Sequence, residues 1–453
     1  MRQRELLGHN QRRLLIHREN AMSLRYADHL ATLRARCDAA LDKAGFDHLA
    51  IASGVEKYAF LDDRPYPFKV SPQFKAWLPL THVPNSWIFH TPGKRPVLVF
   101  HQPDDYWHLP PATPEGFWVE HFDIRVIREP GEAAALLPKG RVAIIGEADA
   151  GIDGAAPNNP KEALDYLHYH RGFKTEYELD CMRRAQRRAV KGHRAARDAF
   201  GNGGSELEIH RAYLAATGHG DLDLPYGSIV GLNEHAAVLH YQYQNAERPT
   251  RHRSLLIDAG AEVDGYAADI TRTYAASDGA FGDLVAAVDD EQQALCARVR
   301  DGVDYRDLHL ECHLRLGGVL RSVGLVDMDP GSMVAEGVTA TFFPHGLGHP
   351  IGLQVHDVAG RRDEGGREIP RPSGHPYLRM TRTLAPGMVI TIEPGIYFID
   401  SLLARLRAGP HAKAVDWEAV NAMRPFGGVR IEDDVACTTG APENITRDAF
   451  AGE

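Results

Sequence analysis

Phe343-Pro-His-Gly-Leu-Gly-His-Pro-Ile-Gly-Leu-Gln-Val-His-Asp357 gathers His345, His349 and His356 among glycines in one short stretch. Glycine lets backbone approach a ligand closely, and neutral imidazole suits first-row divalent metals. Three imidazoles this close together are hard to satisfy as ordinary core histidines, although a flexible His-containing loop is the competing reading. The choice turns on whether acids elsewhere in the chain join them.

Four acids stand in apolar surroundings. Ser254-Leu-Leu-Ile-Asp-Ala-Gly-Ala261 is an apolar strand ending in Asp258, and Asp269 follows in Gly265-Tyr-Ala-Ala-Asp-Ile-Thr-Arg272. Glu393 lies in Val389-Ile-Thr-Ile-Glu-Pro-Gly-Ile-Tyr397 and Glu432 in Gly428-Val-Arg-Ile-Glu-Asp-Asp434. Burying a carboxylate is unfavourable unless it is paired, hydrogen-bonded or coordinated to a metal. Alone, the Asp258/Asp269 pair admits turn capping as readily as metal binding. Four carboxylates with one imidazole are mostly oxygen donors, which match a pair of hard or borderline ions such as Mn2+ better than a closed structural zinc site.

Working outward, 453 residues exceed what one hydrophobic core of roughly 250–300 residues holds, so two domains are expected. Helical spacing from Tyr26 to Leu41 stops at Gly45, and apolar runs at Leu49–Ala52, Val97–Phe100 and Val142–Ile145 read as strands between Pro- and Gly-rich turns. Residues 1–22 are expected to be a disordered extension and 23–170 an α/β N-terminal domain. Thr175–Phe200 has no proline and one glycine, and Ser205-Glu206-Leu207-Glu208 fits a capping box, so two helices open the second domain, 171–453. Strand-like runs at Ser254–Ala259 and Val389–Ile392 bracket helical segments near Phe281–Arg300 and Tyr305–Val323, which makes that domain α+β. Gly360–Pro376 reads as an exposed loop, a solvated connector or a lid.

A formal charge of −10 argues against nucleic acid as a partner. No apolar run approaches the ~20 residues of a membrane span, and no secretory signal is visible, so a soluble protein is expected. Cys37, Cys181, Cys296, Cys312 and Cys437 form no C-x-x-C pair, which fits a reducing cytoplasm rather than a disulfide framework or thiolate zinc.

The ordered set Asp258, Asp269, His349, Glu393 and Glu432, with its flanking words, resembles the creatinase/methionine-aminopeptidase "pita-bread" metallopeptidases. Pro225-Tyr-Gly-Ser-Ile-Val-Gly-Leu-Asn-Glu-His-Ala-Ala-Val-Leu-His-Tyr241 and Phe342–Asp357 are similar to the bacterial Xaa-Pro dipeptidases, or prolidases, and to the organophosphorus acid anhydrolases. Phe60-Leu-Asp-Asp63 and Tyr66-Pro-Phe-Lys-Val-Ser-Pro-Gln-Phe-Lys-Ala-Trp77 resemble that subgroup's N-terminal domain, and the likeness runs from about Ser23 to Thr439. It implies a pita-bread catalytic domain behind a smaller α/β domain, and hydrolysis of Xaa-Pro dipeptides by a hydroxide bridging two divalent metals.

By the same resemblance Asp258 chelates one metal and His349 the other, while Asp269 and Glu432 bridge the pair. Glu393 binds the second metal and acts as general base. His240, His345 and His356 contact substrate and tetrahedral intermediate, and Tyr226 matches an active-site tyrosine. Arg379, in Tyr377-Leu-Arg-Met380, grips the dipeptide's C-terminal carboxylate, a bidentate task that a guanidinium fork suits. Arg430 is expected to orient Glu432. Promiscuous organophosphate hydrolysis and a homodimer are implied as well. The alternatives are an Xaa-Pro aminopeptidase acting on longer peptides and a non-catalytic pita-bread binding module. Asp400–Pro425 looks like a subgroup-specific insertion.

Overall fold

No glycine or proline interrupts residues 9–44, and a helix fills that whole range, His9–Ala44, closing at Gly45. The computed structural model describes residues 9–220 and 222–452, with side chains described for 22–220 and 222–452. The extension expected over residues 1–22 lies outside the described residues as far as residue 8. From His9 on, its backbone is helical in a segment rich in straight-chain helix formers.

The first compact unit comprises the described residues to Arg171 with Thr175–Asp180 and Glu364–Gly366. Its five-stranded sheet runs in the order Asp123–Ile127, Val97–His101, Trp87–His90, His48–Ala52, Val142–Ile145. The two outer pairings are parallel and the two inner ones antiparallel, with Leu49 opposite His90 in the centre. Ala50, Ala52, Trp87, Phe89, Val99 and Ile144 form one packed cluster. Tyr26, fully buried, donates its hydroxyl to the Trp77 carbonyl at 2.5 Å and meets Tyr177 edge-on.

In the second unit, Gly172–Lys174, Cys181–Asp363 and Arg367–Glu453, an antiparallel sheet orders Thr271–Ala275, Ser254–Asp258 and Ile229–Leu232. Asp258 ends the central strand, with Thr271 and Ile229 opposite it. A second antiparallel group pairs Val389–Ile392 with Asp433–Ala436, and a third pairs Gly395–Tyr397 with Gly428–Arg430. The helices Ala280–Cys296 and Tyr305–Ser322 bury Leu284, Val288, Leu295, Leu308, Leu316 and Leu320 in the core that also takes Ile390, Ile392 and Val429. Each such side chain contributes about 1.5–3 kcal/mol on leaving water.

Ser205 caps Glu206–Thr217 reciprocally with Glu208, as its sequence predicts. Asp400–Pro425 is no loose loop: the helices Asp400–Ala408 and Trp417–Met423 sink Leu403, Leu406 and Val420 into the same core. Within the expected loop, Arg362 and Glu368 form a bridge, and Arg367 reaches Asp363 at 2.8 Å, so its tip is a tied turn. Among the described residues no helix is long and apolar enough to cross a membrane.

Candidate active site

The strand ends of the second unit bring the acids together. Asp258 closes its strand, and Asp269 sits two residues before the neighbouring strand that starts at Thr271. The Tyr226 hydroxyl lies 2.8 Å from Asp258 Oδ1 and 2.6 Å from Asp269 Oδ1. One hydroxyl carries one proton, so two carboxylate oxygens at hydrogen-bond distance need a second proton or a cation between them.

His349 is fixed by the strand beside it. Its N–H donates to Thr391 Oγ1 at 3.1 Å, its carbonyl accepts from Thr391, and the Glu393 N–H donates to the Leu347 carbonyl at 2.8 Å. A Cβ on Gly348 would lie 2.1 Å from the Thr391 carbonyl oxygen, so only glycine permits this approach. Nδ1 of His349 donates to the Pro350 carbonyl at 3.1 Å and Nε2 turns to the acids; against its desolvation, the Asp269 hydrogen bond and the charges of Glu393 and Asp269 raise this imidazole above its usual range. Nε2 faces Asp269 at 3.4 Å and Glu393 at 3.6 Å.

Glu432 arrives from the third segment, bridging to Thr271 through the backbone and accepting from Thr271 Oγ1 at 2.6 Å. Arg430, expected to orient Glu432, shares Thr271 Oγ1 with it. Its guanidinium meets Asp258 at 2.6 Å, Thr271 Oγ1 at 3.1 Å and the Tyr397 hydroxyl at 2.9 Å, so its hydrogen-bonded link to Glu432 runs through Thr271. Tyr397 in turn lies 2.9 Å from His345 Nε2, while His345 Nδ1 donates to the Gly346 carbonyl and stands 3.5 Å from Glu393. Both His345 nitrogens are therefore engaged by the protein.

Burial sets the electrostatics. It pushes Glu393 up to about 7 and Glu432 well above the carboxylate range, with the neighbouring acids adding to the rise at Glu432. Burial also raises Asp258, against the pull of Arg430. Asp269 alone ends below the usual range, because the His349 hydrogen bond and charge outweigh its desolvation. Burial drives His345 and His356 down to about 3, so both are neutral. Asp269, His349 and Glu432 each offer a ligand atom within 4.8 Å of the others. Three carboxyls raised by burial, with Asp269 and an imidazole nitrogen turned towards them, are a donor set that fits divalent cations.

These groups line a cavity of about 620 Å3 that also includes His240, His356, Arg379 and Arg430. The Arg379 side chain makes no hydrogen bond or ion pair among the described residues. Sequence reading missed Thr271 and Tyr397. Both stood inside quoted segments, but only strand register reveals that they link Arg430 to Glu432 and to His345.

A metal-fitting cluster at strand ends of an α+β unit, in a chain whose other unit is α/β, defines a pita-bread metallopeptidase. The chain belongs to Metallopeptidase family M24: residues 180–439 match that family, and residues 24–169 match the Xaa-Pro dipeptidase N-terminal domain. It is 57% identical over 431 residues to a Xaa-Pro dipeptidase of Stenotrophomonas maltophilia, covering 94% of this chain and 97% of the relative. A Xaa-Pro dipeptidase of Xanthomonas euvesicatoria is 56% identical over 436 residues, 95% of this chain and 99% of the relative. Among solved structures, Escherichia coli aminopeptidase P with the inhibitor Pro-Leu shares the fold at TM-score 0.70 and 23% identity, covering 92% of this chain and 94% of that one. The Pseudomonas aeruginosa aminopeptidase matches equally, at 0.70 and 23%, covering 93% and 95%.

Proposed function

We propose that this protein hydrolyses Xaa-Pro dipeptides. The observation that carries the reading is that five candidate ligands and the unpaired guanidinium of Arg379 share one cavity. Asp258, Asp269, His349, Glu393 and Glu432 would hold two divalent ions, with Mn2+ favoured by the oxygen-rich donor set. Such ions, when bound, lower the pKa of water and polarise a carbonyl.

The chain's own groups do the rest. Glu393 accepts a proton from the attacking water and returns it to the proline nitrogen as the amide breaks. His345 stands 3.5 Å from Glu393 and is itself held by the Gly346 carbonyl and by Tyr397. Tyr226 spaces Asp258 from Asp269, and Arg430 neutralises Asp258. His240 and His356, on the cavity wall, contact the substrate.

Arg379 pairs with the carboxylate one residue beyond the scissile bond, and a longer peptide places a neutral amide there. Two relatives above half identity that are named Xaa-Pro dipeptidase support this choice over an aminopeptidase. Family likeness alone extends the reading to a homodimer and to promiscuous organophosphate hydrolysis, and the scattered free cysteines extend it to a reducing cytoplasm.

The test compares Mn2+-dependent cleavage of Ala-Pro and Ala-Pro-Xaa by the parent and by His349→Ala. The parent prefers the dipeptide, and the variant loses nearly all activity while keeping its fold. Full activity in the variant, or preference for the tripeptide, refutes the proposal.

A further inference from the structure

A second cluster of imidazoles holds no carboxylate, although one member, His375, lines the same cavity as the acids. His309 and His313 are one turn apart on the helix Tyr305–Ser322 and share a face, and both are buried. His375 completes a triangle: its ring centroid is 4.6 Å from each of theirs, which are 4.8 Å apart. One nitrogen from each ring lies within 4.8 Å of the others.

The protein leaves this triangle incompletely satisfied. His313 Nδ1 and Thr339 Oγ1 are hydrogen-bonded at 2.9 Å, whereas Nε2 is buried with no hydrogen-bond partner among the described residues. Buried polar atoms nearly always have one, so an orphan imidazole nitrogen in a cluster of imidazoles points to an absent partner. Burial holds all three rings below the ordinary histidine range, His313 at about 3, which keeps them neutral and able to ligate.

We propose that His309, His313 and His375 form an all-imidazole metal site that takes a borderline cation such as Zn2+. Neutral nitrogen donors without a carboxylate select Zn2+, Ni2+ or Cu2+ over Mn2+ and Mg2+, the reverse of the acid-rich cluster. Three ligands leave a fourth position for water.

The ring protons set the affinity. The Leu347 N–H donates to His309 Nδ1 at 3.3 Å, so Nε2 carries the proton and donates to His375 Nδ1 at 2.9 Å. Capture through Nε2 shifts that proton to Nδ1 and breaks the long Leu347 bond, which weakens binding by about tenfold relative to a preformed site.

Metal-free parent, His375→Asn and His349→Ala are each dialysed against micromolar ZnCl2 and the bound zinc is counted. His375 is only partly buried, so its replacement spares the core. His375→Asn is expected to hold one zinc fewer than the parent, and parent crystals to show zinc-edge anomalous density between the three rings. His349→Ala alters only the other cluster and keeps this ion, so failure of the peptidase reading does not imitate failure here. Equal zinc uptake by parent and His375→Asn, or anomalous density confined to the carboxylates, overturns the proposal.

Discussion

Glu393→Gln is expected to stabilise the metal-free protein while abolishing activity. Moving a carboxyl from 4.5 to about 7 corresponds to about 3 kcal/mol between its charged and neutral forms. A carboxyl raised on folding lends its stability below the unfolded pKa and loses it as pH climbs through the folded value. Between about pH 4.5 and 8 the parent therefore gives up that stabilisation at Glu393, and the neutral amide does not. Because neighbouring acids share the protonation, the net gain of Glu393→Gln at pH 8 is about 1–3 kcal/mol, shrinking towards pH 5. Urea denaturation of both metal-free proteins at the two pH values measures it. Saturating Mn2+ should reverse the order, since only the parent keeps the full ligand set. A variant less stable than the metal-free parent at pH 8, or a difference independent of pH, refutes the reasoning.

Arg379→Leu should lower kcat/KM for Ala-Pro by about 10–100-fold, mainly through KM, because a charged hydrogen-bonded contact is worth about 1.5–3 kcal/mol. Ala-Pro amide, already slow, should barely respond, and equal losses on both substrates would remove Arg379 from carboxylate recognition. Arg430→Met strips Asp258 of its buried partner and should cost about 3–5 kcal/mol of stability by thermal or urea melting. An unchanged melt would show the ion pair to be dispensable. Gly348→Ala should expel His349 from its place against Thr391, so metal uptake falls in equilibrium dialysis, whereas parent-like uptake would contradict the close-approach argument.

The ligand candidates were legible because each acid interrupts an apolar run and His349 sits among glycines, both local signals of chemistry. Links that depend on register were not. Arg430 and Glu432 are two residues apart, but the hydrogen bonds joining them pass through Thr271, and the arginine's acid, Asp258, is 172 residues away. The same limit hid Tyr397 behind His345. His309 and His313 show helical spacing, but nothing in the sequence announces that His375 closes the triangle. Secondary structure was easier: the Ser205 capping box and the strands at Val142–Ile145 and Val389–Ile392 fall where composition put them. The start of the first helix did not, because uniform helix formers give no stop signal upstream of Tyr26.

Locating the metal is the direct test of the central claim. Protein reconstituted with Mn2+ and crystallised should show manganese anomalous density enclosed by Asp258, Asp269, His349, Glu393 and Glu432, two ions per chain. No manganese after reconstitution, or manganese bound only elsewhere, would contradict the account.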